Sequence, residues 1–208
     1  DGLVRTGWLY VPAPGEYSTV ESAKDIGRIY LDPGMNGKRC TKPFTLKGKT
    51  YRPLTDGIIT LPFVCNSKAK YVYVYSGSKG WINDSKGAVV KNRMVAAANA
   101  TVTDTDPEFG QIHTMYADSA GYVVKGRNVK VKGKQYSLNN DGFLNEEHSV
   151  SMSLYVLSGG NELPVYEVVN RHGRVSYTAG GKTVKNAVLY RFGNVPAFVA
   201  DKSGAIAY

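Results

Sequence analysis

The chain has 208 residues, 42% of them hydrophobic, with 15 tyrosines and 23 glycines. That composition argues for a folded, turn-rich protein of one all-β domain or two small ones, and the Leu and Ala runs of a helical bundle are missing. A formal charge of +9 calls for a polyanionic neighbour, or else reflects solubility within a larger assembly. No apolar run reaches the roughly 18 residues of a membrane-spanning segment.

The chain begins at Asp1 and not at Met, as a processed chain or a fragment does. Residues 9–11 predict a short strand, followed by a Pro-Ala-Pro-Gly loop. Ser18-Thr19-Val20-Glu21 has the S-x-x-E form of a capping box, which predicts a short helix over about 18–26. Gly27 ends it, 28–31 reads as a brief strand, and Asp32-Pro33-Gly34 and Asn36-Gly37 are turn signals. The apolar run 58–64 contains Pro62, which predicts an edge strand or a bulge. Tyr71-Val72-Tyr73-Val74-Tyr75 is the clearest strand, with three tyrosines on one face and two valines on the other. Such a row serves either as a half-exposed binding face or as ordinary cross-strand packing. Residues 89–102 fit helix and strand alike. The polar 103–107 segment (TDTDP) predicts a linker between an N-terminal domain, 1–102, and a C-terminal one, 108–208. Strands are expected again at 151–157, 165–169, 174–177 and 184–192.

Two stretches repeat. In 44–59, Lys47-Gly48-Lys49, Tyr51 and Asp56-Gly57 align without gaps on Lys132-Gly133-Lys134, Tyr136 and Asp141-Gly142 of 120–145. Asp-Gly is a strong hairpin signal, because Gly accepts the positive φ of a tight turn. Polar turns ending in Gly recur at 57, 87, 121, 142, 173 and 204, steps near 30 residues with one of 21. The fold class expected is all-β and mainly antiparallel: serial hairpins in one or two small barrel- or sandwich-like domains with at most one or two short helices.

The segment 118–144 resembles the choline- and glucan-binding repeats of bacterial cell-surface proteins, which read roughly DGxxVTGWxxxxGKWYYFxxDGxM. The matching positions are Gly121, Val124, Gly126, Gly133, Lys134, Tyr136, Asp141, Gly142 and Leu144. The resemblance implies a non-catalytic hairpin module outside a cell, with aromatic side chains that enclose quaternary ammonium or stack on sugars. Arg127 and Gln135 stand where the family carries its two tryptophans, and Ser137-Leu138 replace Tyr-Phe, so most of that ligand chemistry is missing. The GKxYY modules of lactobacillar surface-layer proteins are similar to a lesser degree.

No catalytic set assembles. His113, His148 and His172 are scattered, Glu146-Glu147 and Asp104/Asp106 read as solvated acids, and neither a metal site nor a cofactor is expected. Cys40 and Cys65 allow one disulfide or two reduced thiols. Lys125, Arg127, Lys130, Lys132 and Lys134 fall within ten residues free of acids; on a strand, Lys130, Lys132 and Lys134 would share one face. Such a stripe binds phosphate polymers by counterion release or protects a sheet edge. Sequence-specific nucleic-acid binding is not expected, because no recognition helix or RNP-type motif is present. Candidate ligand-binding residues are therefore Tyr71, Tyr73, Tyr75, Lys125, Arg127, Lys130, Lys132, Lys134 and Tyr136. The expectation is a non-enzymatic structural protein of a virus particle or bacterial surface layer, working through contacts with its own copies or with other structural proteins. The alternative is a module that binds cell-wall glycan or its anionic polymers.

Overall fold

The computed structural model describes residues 4–12, 26–66 and 68–206; residues 18–25 of the expected helix lie outside them. Strand makes up 53%; among the described residues helical content is limited to short turns and no sheet closes into a barrel. The chain divides into two compact units, 1–124 and 125–208.

The first unit holds β1 (Gly7–Val11), β2 (Gly27–Asp32), β3 (Lys38–Arg39), β4 (Phe44–Leu46), β5 (Lys49–Tyr51) and β6 (Ile59–Thr60). It continues with β7 (Tyr71–Ser76), β8 (Lys79–Asp84), β9 (Arg93–Asn99) and β10 (Ile112–Ala117). Strand β2 lies between β1 and β3 with β6 beside it, β4 and β5 form a hairpin, and the third sheet runs β10-β9-β7-β8. Pro62 does not sit in a strand: it opens the 3-10 turn Pro62–Val64, where its missing N–H costs nothing. The 89–102 stretch resolves as β9, whose Ala97 and Ala98 are fully buried. The 103–107 segment lies between β9 and β10, which pair antiparallel from Ile112↔Ala98 to Ala117↔Arg93.

The second unit holds β11 (Asn128–Val131), β12 (Lys134–Ser137), β13 (His148–Ser158) and β14 (Asn161–Val169). After these come β15 (Val175–Ala179), β16 (Lys182–Thr183), β17 (Ala187–Arg191) and β18 (Val195–Ala200). Strands β11 and β12 form a hairpin, and the rest make a six-stranded sheet in the order β16-β15-β14-β13-β17-β18. Its core gathers Leu154, Val165, Val169, Val175, Tyr177 and Leu189. Burying such side chains is the main stabilising term, at about 25 cal/mol per Å² of apolar surface.

One turn accounts for all six of the periodic glycines. At 84–88, 118–122, 139–143, 170–174 and 201–205 an Asp or Asn opens the turn, and its carbonyl accepts the N–H of the Gly three residues on. Its side-chain Oδ1 accepts the N–H four residues on in all five. In four of them it also accepts the N–H two residues on. The Gly then takes φ between +63° and +89°. At 54–58 Leu54 opens the same turn, and the side chain moves to Asp56, which accepts from Ile58. Each turn thus satisfies its own backbone donors at the tip of a connection, as exposed loops must.

A second device ties three of these turns to an earlier stretch. Asn92, Gly126 and Asn186 take positive φ after Val90-Lys91, Val124-Lys125 and Val184-Lys185. Their N–H groups donate to the carbonyls of Asp118, Asn139 and Asp201, the residues that open turns downstream.

Candidate functional site

The two hairpin copies share one backbone. In both, the strand-to-strand turn is Lys-Gly: Lys47 and Gly48 have φ of 49° and 74°, Lys132 and Gly133 have 49° and 76°. Positive φ at both central residues is the two-residue turn whose twist matches paired strands. The registers agree as well, with Phe44↔Tyr51 in one and Val129↔Tyr136 in the other. The Asp-Gly signals belong to the neighbouring Asx turns and not to the hairpin tips.

Beside the first copy, Val89 N–H donates to the Thr50 carbonyl at 2.8 Å and docks the 88–91 segment along β5. This opens a 290 Å³ cavity whose lining includes Lys49, Thr50, Tyr71, Lys91 and Arg93. Lys91 Nζ donates to Thr50 Oγ1 at 2.9 Å, and the Arg93 guanidinium lies 5.8 Å from the Tyr71 ring centre. The single acid in the lining is Asp84, whose Oδ1 is taken up by the N–H groups of Lys86 and Ala88. Arg52 is committed elsewhere: it donates to the carbonyls of Ala120 and Gly121 and covers the Tyr122 ring at 4.0 Å.

On its other side the first copy joins an aromatic cluster. Trp8 meets the rings of Tyr30, Phe44 and Tyr51 at centroid distances of 5.0, 6.0 and 5.0 Å. The Arg28 guanidinium sits 3.7 Å over Trp8 and 5.3 Å from Tyr51. Arg28 is 5% exposed, and its Nε finds no hydrogen-bond partner. The two aromatic faces therefore supply the compensation that a buried charge needs. The position enclosed by these aromatics is filled by the chain's own cation. Sequence reasoning missed Trp8, although Thr6-Gly7-Trp8 reproduces the T-G-W of the repeat pattern and Gly7 has φ of 89°.

Beside the second copy lies a wider cavity of 710 Å³, lined by Arg127, Asn128, Ser137, Asn140, Asn145 and Glu167 among others. Glu167 Oε2 accepts from Asn128 Nδ2 at 3.0 Å and from the Tyr177 hydroxyl at 3.1 Å, while Asn145 Nδ2 donates to Ser137 Oγ at 2.7 Å. A third cavity, of 310 Å³, takes in Lys130, Gln135 and Asp201. Asp201 is held well below the usual carboxylate range, first by the Ser203 hydroxyl, then by the Ala205 N–H, with Lys130 adding at 3.3 Å.

The structure scatters the residues singled out in the sequence. Tyr73 is fully buried, Tyr71 is half-buried and Tyr75 is exposed, while Val72 and Val74 are also buried. Both faces of β7 are therefore covered along most of its length, and no open tyrosine row forms. Lys130, Lys132 and Lys134 do not line one face, because Lys132 sits in the hairpin turn and Lys134 pairs with Val131 on the facing strand. Lys125 is exposed, Arg127 faces the 710 Å³ cavity, and Tyr136 is half-buried, bridged to Arg174. Cys40 and Cys65 are separate thiols: Cys65 packs beside Val72, Val74 and Trp81, far along the chain from the sheet edge that holds Cys40. Burial pushes the Cys65 thiol up to about 11; burial and then Asp32 raise that of Cys40. Among the described residues no three His, Cys, Asp or Glu side chains group as a metal site would, and no helix is long and apolar enough to cross a membrane.

No family model and no curated protein matches the sequence. Solved structures do match. Choline-binding protein F from Streptococcus pneumoniae is similar over 100% of this chain and 49% of its own, at 16% identity and a TM-score of 0.49. CbpJ from the same organism matches over 98% of this chain and 58% of its own, at 16% identity and a TM-score of 0.45. The modular autolysin LytC of S. pneumoniae matches over 82% of this chain and 36% of its own, at 14% identity and a TM-score of 0.40. The chain spans about half the length of the first of these. Choline-binding proteins, whose repeats the segment 118–144 resembles, are among the solved structures that match.

Proposed function

We propose that the chain is a non-catalytic attachment module that binds a polymer of the bacterial cell wall, outside the cell. One observation carries this reading: each copy of the hairpin borders an open cavity lined by polar and apolar groups together, one of 290 Å³ and one of 710 Å³. Side chains on neighbouring turns and strands complete each cavity, so one scaffold offers separate contact points, as binding along a polymer requires. The ordered polar groups beside the 710 Å³ cavity hold one another, as in the Glu167–Asn128–Tyr177 set.

The test is sedimentation of the full chain with purified bacterial cell walls across a salt series. The expected result is co-sedimentation at physiological salt; failure to bind at any salt concentration overturns the reading. A second reading, attachment through protein contacts within a virus particle or surface layer, has its own observation. Phe192 is 97% exposed at the β17–β18 turn, and the paired Val188 and Val199 are also exposed. Light scattering at rising concentration bears on the second: a monomer throughout counts against contacts between copies of the chain.

A further inference from the structure

The 290 Å³ cavity of the first unit differs in chemistry from its counterpart and defines a ligand class. Three cationic side chains reach it from separate stretches: Lys49 from the start of β5, Lys91 from the segment after the Asp84 turn, and Arg93 from the start of β9. Their convergence is built into the fold. The bond from Val89 N–H to the Thr50 carbonyl lays the Lys91 segment against β5, and Asn92, at φ 48°, turns the chain before Arg93 enters its strand.

Lysine and arginine side chains have donors and no acceptor. A neutral sugar hydroxyl brings a donor along with its acceptor lone pairs, and that donor meets no partner in a lysine or arginine side chain. An oxyanion presents lone pairs alone, and charge-assisted bonds to it are the strong ones. Thr50 adds a directed donor: its Oγ1 already accepts from Lys91, which leaves its hydroxyl hydrogen to point elsewhere. The one acid in the lining, Asp84, has its Oδ1 engaged by two backbone N–H groups, so it is tied to its own turn. Tyr71 supports Arg93 from below. Lys49, Lys91 and Arg93 remain exposed, so the cavity is accessible to a chain passing over it.

We propose that this cavity binds a phosphodiester group of an anionic wall polymer, with Lys49, Lys91, Arg93 and the Thr50 hydroxyl as its donors. This rests on the reading of the chain as a cell-wall binding module and names the ligand of its first unit. The 710 Å³ cavity, with its asparagines and Glu167, has one cationic side chain in its lining, Arg127, where the 290 Å³ cavity has three.

The test uses the full chain and a glycerol-phosphate oligomer as the probe, with affinity read by calorimetry at several salt concentrations. Wild type is compared with K91Q/R93Q and with K182Q/K202Q, which removes two exposed charges in the second unit. The expected result is at least a tenfold loss for K91Q/R93Q with a shallower salt slope, and less than a threefold loss for K182Q/K202Q. Circular dichroism and thermal midpoints identify any variant that has not folded, and K49Q then serves as the milder probe, with a loss of about threefold expected. Equal losses in the two double variants mean diffuse charge attraction and overturn the proposal, as does K91Q/R93Q binding like wild type, or tighter binding to a neutral glucan oligomer. If K91Q/R93Q still co-sediments with whole walls as wild type does, the phosphodiester site is wrong while wall binding stands. If wild type does not sediment with walls at all, the broader reading fails first.

Discussion

The hairpin at Phe44–Leu46 and Lys49–Tyr51 and the hairpin at Asn128–Val131 and Lys134–Ser137 have the same turn and register, yet they carry different side chains outward. In the first, the paired Phe44 and Tyr51 join Trp8 and Tyr30 around a buried guanidinium. In the second, Val129 takes the place of Phe44, and the adjoining cavity is lined with asparagines. The difference separates two layers of information. Lys-Gly tips and Asx turns set the backbone, and residues at paired strand positions decide what each side of the hairpin holds.

The largest expected effect tests that division. Tyr51→Ala removes a 6%-exposed ring that contacts Trp8 and Phe44, and costs about 3 kcal/mol, near the lower end for a buried aromatic. Tyr136→Ala, at the matching place on a half-buried side chain, costs about 1 kcal/mol. Both tryptophans lie in the first unit, so denaturant unfolding followed by fluorescence reads the first variant and circular dichroism the second. Equal costs would mean that the two copies are packed alike.

A smaller effect distinguishes the turns. Asn139→Ala beside the second copy removes the acceptor of two backbone N–H groups and costs about 1 kcal/mol. Asp201 does the same work as a carboxylate whose folded-state pKa is depressed. A depressed pKa gives stability that is present above the ordinary value of 3.8 and lost as pH falls below it. Asp201→Asn keeps the turn, as Asn139 and Asn170 do, and removes that part of the acid sensitivity. Acid titrations of wild type and D201N that overlay below pH 4 would contradict this assignment.

Much of this architecture was legible in the chain because Gly is the residue that takes positive φ without cost, so turns announce themselves. The six periodic glycines, the hairpin repeat and the strands at β1, β2, β7, β13 and β14 all follow from that signal and from period-2 patterning. Other features were hidden for physical reasons. Period 2 gives the two faces of β7 but not their burial, and Leu54, Val64 and Cys65, which pack on Val72 and Val74, come from other stretches of the chain. The lysine stripe assumed an unbroken strand, and Lys132 in a left-handed conformation breaks it. Residues 103–107 have a composition that a linker and a hairpin connection share. The basic cavity joins Lys49 to Lys91 and Arg93 across more than 40 positions, and no local pattern announces it.

The most direct test of the account is to map where the polymer binds. Amide chemical shifts of the isotope-labelled full chain, followed as a glycerol-phosphate oligomer is added, should move at Thr50, Lys91 and Arg93 and stay unchanged at Asn128 and Asn145. Shifts confined to the second unit, or none at saturating oligomer, would contradict it.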